Sequence, residues 1–259
     1  MGVLNVTPDS FSDGGRYVSH ARALEHAQAM IEAGAAIIDV GGESTRPGAP
    51  AVSVEEELRR VIPVIERLAR GGHAIVSVDT STPEVILAAV AAGATFVNDV
   101  RGLQRPGALE AAAASDCAVC VVHMQGEPQT MQQRPEYTDV VAEVKLFLQA
   151  RVAACEAADI DRGRIVIDPG FGFGKTVAHN LALVRQLPDF ASLRLPVLMG
   201  MSRKSTIAVI TGRADGGRLA GSLALAVAAV LRGAHIIRAH DVAETVDALK
   251  VAHAVQAGV

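Results

Sequence analysis

Eight times along its 259 residues the chain repeats one pattern. A short apolar stretch ends in a polar residue, a Gly-, Pro-, Ser- or Thr-rich segment follows, and an amphipathic stretch comes next. The residues that close the apolar stretches are Asn5, Asp39, Asp79, Asn98, His123, Asp168, Ser202 and His240. Runs such as Ile165-Val-Ile167 suit strands buried on both faces of a parallel sheet. Eight strand–helix alternations place helices outside a parallel sheet, and eight strands close a barrel of ~250 residues. No linker, charge block or low-complexity segment divides the series, so residues 1–259 read as one domain. The expected fold is α/β, a single (β/α)8 TIM barrel with its active site at the C-terminal ends of the strands.

Local signals place the elements. Ser53-Val-Glu-Glu-Glu opens a helix with a cap and three first-turn carboxylates, favourable to the helix dipole. Further helices are expected near 19–33, 107–115, 138–158 and 178–187, and one over 218–232 after an interruption at 211–217. The fourth, seventh and eighth strands are expected at 95–97, 196–199 and 235–239.

Composition excludes several classes. A formal charge of −4 gives no global field for nucleic acid or anionic membranes, so an anionic ligand would need a local cationic cluster. The apolar run Leu223–Leu231 falls short of the ~18 residues of a membrane span. No signal peptide is visible, and a cytoplasmic location is expected. Cys117 and Cys120 spell C-x-x-C, but residues three apart on a strand face opposite sides, so buried, inert thiols are expected.

The stretch Asp168-Pro-Gly-Phe-Gly-Phe-Gly-Lys-Thr176 sets a carboxylate at a strand tip before three glycines and two phenylalanines. It matches neither G-x-x-x-x-G-K-[ST], whose first position here is Pro169, nor G-x-G-x-x-G, because its glycines are evenly spaced. A polar, aromatic-walled pocket is expected instead. Two small-residue loops, TPDSFSDGG and GGESTRPG, have the character of mobile lids.

The strings LNVTPDSFSDGG, DVGGESTRPG, VDT, NDV, DPGFGFGK, SRKS and RAHDVAET occur in the order found in the dihydropteroate synthase family, which the chain resembles over nearly its whole length. The resemblance implies condensation of 6-hydroxymethyl-7,8-dihydropterin pyrophosphate with p-aminobenzoate, giving dihydropteroate and pyrophosphate for folate synthesis. It implies a pterin pocket of Asp79, Asn98 and Asp168, in which a carboxylate accepts paired hydrogen bonds from the guanidine-like pterin edge. Lys204 would donate to the pterin, and Arg238 would stack on it while facing the diphosphate. Asn5 is matched to a Mg2+ and diphosphate position, with Arg46, Arg238 and His240 as further donors to the leaving group. Asp13 and Phe11 would enclose the pterin methylene cation. Thr45 and Pro47, with Arg46 beside them, would form the p-aminobenzoate site together with Phe171 and Ser202. The resemblance also implies a homodimer and sulfonamide sensitivity, and the last two helices, rich in Ala, Leu and Val, are the expected interface. In the family a short segment usually precedes the first strand, whereas Met1 almost begins it here.

Plainer roles exist for the same residues. Asn5 suits a turn, Ser202 a helix cap, Phe171 the core, and Asp39 and Asp99 the orienting of neighbours. A role in supporting neighbouring side chains or the fold suits His123 better than direct ligation. Rival functions are a methyltetrahydrofolate-binding methyltransferase barrel, which needs no diphosphate lids, and a non-catalytic pterin-binding paralogue. A metal hydrolase would want His-x-His where Asn5-Val-Thr stands, and a Schiff-base aldolase could use Lys204.

Overall fold

The computed structural model describes residues 1–6, 16–43, 52–127, 130–213 and 217–258. Six parallel strands lie side by side in chain order: β1 (Gly2–Asn5), β2 (Ile37–Gly41), β3 (Ile75–Asp79), β4 (Phe96–Asp99), β5 (Ala118–Val122) and β6 (Ile165–Asp168). β7 (Leu198–Met199) and β8 (Ile236–Ile237) form a parallel pair. Isolated parallel bridges, Ile167 to Val197 and Gly2 to Ala239, attach this pair to both edges of the sheet. Ile167 N donates to Pro196 O at 3.0 Å and Val3 N to Ala239 O at 3.0 Å. The strands therefore come full circle as a (β/α)8 barrel. This removes the unpaired edges that a six-stranded sheet would leave.

Helices α1 (Arg16–Glu32), α2 (Val54–Gly71), α3 (Pro83–Ala91), α4 (Ala108–Ala113), α5 (Val140–Ala157), α6 (Val177–Arg185), α7 (Ser205–Thr211), α8 (Leu219–Val230) and α9 (Val242–Ala257) alternate with the strands. Ser53 caps α2, its hydroxyl accepting from Glu56 N at 3.2 Å. Asp139 caps α5 through Val141 N (3.0 Å) and Ala142 N (3.1 Å). The boundaries differ from expectation where local signals are weak. β4 continues through Asn98 and Asp99 because both pair with β5, and β7 and β8 shorten to the two residues that pair with each other. α1 begins three residues before Ser19.

Period-two alternation divides the barrel wall. Leu4, Ile38, Val40, Val76, Val78 and Val97 belong to the large core shared with the helices. Phe96, Cys120, Val122, Val166 and Leu198 form a smaller cluster on the opposite, inner side. Cys117 falls in the first cluster and Cys120 in the second; both are buried free thiols, and burial pushes both pKa values up.

Candidate active site

Parallel register brings the expected polar residues to one rim. Asn5 lies beside Gly41, Gly41 beside Asp79, and Asp79 beside Asn98. Gly41 keeps that row open: a methyl there would sit 3.7 Å from Asp79 Oδ2 and 3.8 Å from Asn5 Oδ1. Two residues earlier on β2, fully buried Asp39 pairs in register with Ser77 and accepts its hydroxyl at 2.6 Å.

Arg238, immediately after β8, reaches across the rim. Its Nε donates to Asp39 Oδ2 at 2.6 Å and its Nη2 to Asp79 Oδ2 at 2.7 Å. Asn98 Nδ2 donates to the same Asp39 oxygen at 3.1 Å. Asp39 thus orients Arg238 and Asn98, which agrees with its plainer reading. With its amide nitrogen engaged, Asn98 leaves Oδ1 buried and without a partner among the described residues. Buried acceptors are rarely left so, and this one is available to an N–H of a ligand. Burial raises the Asp79 carboxyl above the usual range, although Arg238 opposes it. Burial works against the Arg238 charge, but Asp39 and Asp79 outweigh it and hold the guanidinium pKa above its ordinary value.

A second cluster comes from the loops after β6 and β7. Asp168 Oδ1 accepts from Gly170 N at 2.7 Å, and burial raises its pKa against that hydrogen bond and the charges of Lys204 and Lys175. Lys204 Nζ donates to the Phe171 carbonyl and lies 3.9 Å from the centre of the Phe173 ring, a cation–π contact. Burial lowers the Lys204 pKa to about 8, with Asp168 opposing.

The two phenylalanines part company. The Phe171 ring, expected in the p-aminobenzoate site, is 1 % exposed and belongs to the large core. The aromatic ring beside Lys204 is Phe173, and Phe171 contributes its carbonyl. Left-handed glycines on either side of each ring send neighbouring side chains in different directions, which the alternating sequence alone does not reveal.

Ser202 Oγ lies 3.1 Å from His240 Nδ1 and accepts from His240 N at 3.2 Å. Arg203 joins the same two loops: its φ is 58°, its N–H donates to Ser222 Oγ at 3.0 Å, and its Nε donates to Asp241 Oδ2 at 3.0 Å. Asp99 faces its own loop, accepting from Ser81 Oγ, from Arg101 N at 2.8 Å and from Leu103 N at 2.9 Å, as its plainer reading held. His123 is buried against Lys175 and Phe147. Phe11, Asp13, Thr45, Arg46 and Pro47 lie outside the described residues. The sequence assigns no role to Ser77 or Lys175 and does not separate Phe173 from Phe171. The glycine–phenylalanine alternation singled out this loop but not which of its rings stands beside Lys204.

An inner rim of carboxylates and cations, with an orphan amide oxygen between them, defines a site for a small heterocycle rich in N–H donors. A family model described as pterin binding enzyme matches residues 1–240, and the chain belongs to that family. The dihydropteroate synthase of Escherichia coli K12 is 56 % identical over 254 residues, covering 98 % of this chain and 90 % of that protein. Among solved structures, a Yersinia pestis dihydropteroate synthase with a sulfonamide drug complex has a TM-score of 0.94 at 50 % identity, covering 99 % of this chain and 94 % of that one. The Xanthomonas albilineans dihydropteroate synthase in complex with 7,8-dihydropteroate has a TM-score of 0.91 at 52 % identity, covering 99 % and 93 %.

Proposed function

We propose that the chain is a dihydropteroate synthase, joining 6-hydroxymethyl-7,8-dihydropterin pyrophosphate to p-aminobenzoate with release of pyrophosphate. The observation that carries this reading is the convergence of Asp168, the unpartnered Asn98 Oδ1, Lys204 and Arg238 at one barrel rim, in a chain 56 % identical to such an enzyme. Asp168 accepts the amino and ring N–H donors of the pterin, Asn98 Oδ1 accepts another, and Lys204 donates to a ring acceptor. Arg238 and the Ser202–His240 pair meet the diphosphate, assisted by Arg46. The bond between the pterin methylene carbon and the diphosphate oxygen breaks, the electron pair leaves with pyrophosphate, and the aniline nitrogen attacks the methylene and then loses a proton. Stabilising the departing charge supplies most of the rate, and no covalent nucleophile is needed.

Magnesium belongs to the same reading. Asn5 offers one amide oxygen beside Asp79, and no three His, Cys, Asp or Glu gather as a metal cage among the described residues. That set suits an ion held by one or two protein oxygens and completed by phosphate and water. When bound, it would neutralise charge on the leaving diphosphate.

Among the described residues no helix is long and apolar enough to cross a membrane, and a cytoplasmic location is proposed. Val209, Ile210, Val251 and Val255 are exposed apolar residues on α7 and α9, and they support a homodimer through these helices. Sedimentation tests this: a monomer at micromolar concentration would overturn the dimer.

The decisive assay is pyrophosphate release with both substrates, against controls lacking each and against EDTA. Release needing all components is expected, and its absence would refute the proposal. Sulfamethoxazole should compete with p-aminobenzoate; an inhibition constant orders of magnitude above the substrate KM would mark an altered loop.

A further inference from the structure

Lys175 is 3 % exposed, yet among the described residues no carboxylate touches it. Its ammonium has three protons and meets four neutral acceptors: His123 Nδ1 at 2.8 Å, Gly170 O at 2.9 Å, Phe173 O at 3.0 Å and, more weakly, His123 O at 3.5 Å. With the ammonium donating, His123 would accept at Nδ1 as the neutral tautomer that carries its proton on Nε2. Burial, reinforced by Lys175, lowers the His123 pKa to about 3.

These acceptors lie on the two loops that frame the pterin side of the site. Gly170, Gly172 and Gly174 all have left-handed backbone, with φ of 71°, 83° and 62°. Each is jammed against a neighbour. A methyl on Gly170 would overlap the His123 carbonyl, one on Gly174 would lie 2.5 Å from Gln125 O, and one on Gly172 would lie 2.7 Å from Lys204 Cδ. The loop turns its Gly170 and Phe173 carbonyls toward the Lys175 ammonium. Between those ammonium contacts stand the Phe171 carbonyl that receives Lys204 and the Phe173 ring beneath it. Other ties hold the outer side of the loop: Asn180 Oδ1 accepts from Gly172 N at 2.7 Å, and Tyr137 OH donates to Gly174 O at 2.9 Å.

We infer that Lys175, seated on His123, is a positioning residue for pterin binding: it fixes the curvature of the glycine–phenylalanine loop, and through Phe171 and Phe173 the place of Lys204. The inference rests on the functional reading above and adds to it a residue that touches no substrate. Removing the ammonium takes the side-chain donor from the Phe173 carbonyl and leaves the Gly170 carbonyl with Phe173 N alone, at 3.1 Å, so the loop loses the tie between its two ends and Lys204 loses its seat.

The test compares Lys175→Met with wild type for KM of the pterin diphosphate, kcat, and calorimetric affinity for hydroxymethylpterin, with melting curves run alongside. A role confined to stability would lower the active fraction and hence kcat, leaving KM unchanged. Positioning raises the pterin KM and weakens pterin binding at least tenfold in the folded variant. Two substitutions at His123 keep the lysine and cover the case in which Lys175→Met does not fold. His123→Gln preserves an acceptor and should stay within about threefold of wild-type pterin affinity, whereas His123→Leu removes it and should lose tenfold or more. Native pterin KM in folded Lys175→Met, or equal affinities for the two His123 variants, would overturn the inference. A wild type that binds no pterin would overturn the functional reading with it; a wild type that binds beside unchanged variants would overturn this inference alone.

Discussion

Two cations lie at the same rim of the barrel in opposite surroundings. Arg238 is held by two carboxylates, Asp39 and Asp79, which raise its pKa against burial. Lys175 is held by three carbonyls and an imidazole, and burial lowers its pKa well below the ordinary lysine value. Arg238 is 20 % exposed at its side chain, so part of it can meet a ligand, whereas Lys175 is sealed. A guanidinium has donors to spare after its two carboxylate bonds, while the ammonium has spent all three. The first arrangement leaves binding capacity for a substrate; the second uses the whole capacity on the backbone. Asp168 stands between them, and both charges, with that of Lys204, act on its carboxyl.

The largest effect is expected where that shared carboxylate is removed. Asp168→Ala should cost about 2–5 kcal/mol of pterin affinity, a loss of roughly 30-fold to several thousandfold by calorimetry. Asp168→Asn should also fail, because an amide presents a single acceptor oxygen. Near-native affinity in either variant would move the pterin away from this rim.

Next comes the carboxylate-paired cation. Arg238→Met strands Asp39 and Asp79, and urea denaturation at neutral pH should show a loss of about 3 kcal/mol, the low end for a broken buried pair because the side chain is partly exposed. The sign with pH follows from Asp79. Burial already raises its folded pKa above the unfolded value of 3.8, and losing Arg238 raises it further. Up to about pH 7 the folded chain carries Asp79 protonated with or without Arg238, so the added deficit should be flat in acid and grow as pH rises above about 7, where only the intact chain can ionise it. A deficit independent of pH would argue that the lost stability is packing alone.

A third measurement separates Lys204 from both. Its pKa of about 8 lies near neutrality, unlike that of Arg238. Affinity for hydroxymethylpterin should fall about tenfold per pH unit above 8, as the donating ammonium is lost. Flat affinity to pH 9.5 would show that Lys204 is not a donor to the pterin.

The smallest effect is expected at Ser202. Ser202→Ala removes a neutral partner from His240, worth about 0.5–1.5 kcal/mol, and should raise KM for the diphosphate-bearing pterin by roughly two- to tenfold. Plain hydroxymethylpterin should bind unchanged; equal weakening of both ligands would detach the pair from the diphosphate.

The barrel and its polar tips were legible in the chain because both are periodic. Alternation along strands such as Val76–Asp79 assigns one set of side chains to the helices and one to the lumen, and a polar residue closing an apolar run marks the rim. Helix starts with a carboxylate or hydroxyl cap, at Ser53, Asp139 and Thr176, were local matters settled by backbone N–H groups that need acceptors. Site chemistry was readable through whole motifs, whose order along the chain matched a family. The partners within the site were not, because they are separated by long stretches of chain. Arg238 meets Asp39 across 199 residues, and Lys175 meets His123 across 52. Such contacts depend on strand register and barrel closure, and closure here rests on isolated bridges that no local pattern announces. The same reason covers the phenylalanine pair. Sequence supplies two equivalent rings flanked by glycine, and only the packed loop, with its left-handed turns and buried ammonium, sends Phe171 into the core and leaves Phe173 beside Lys204.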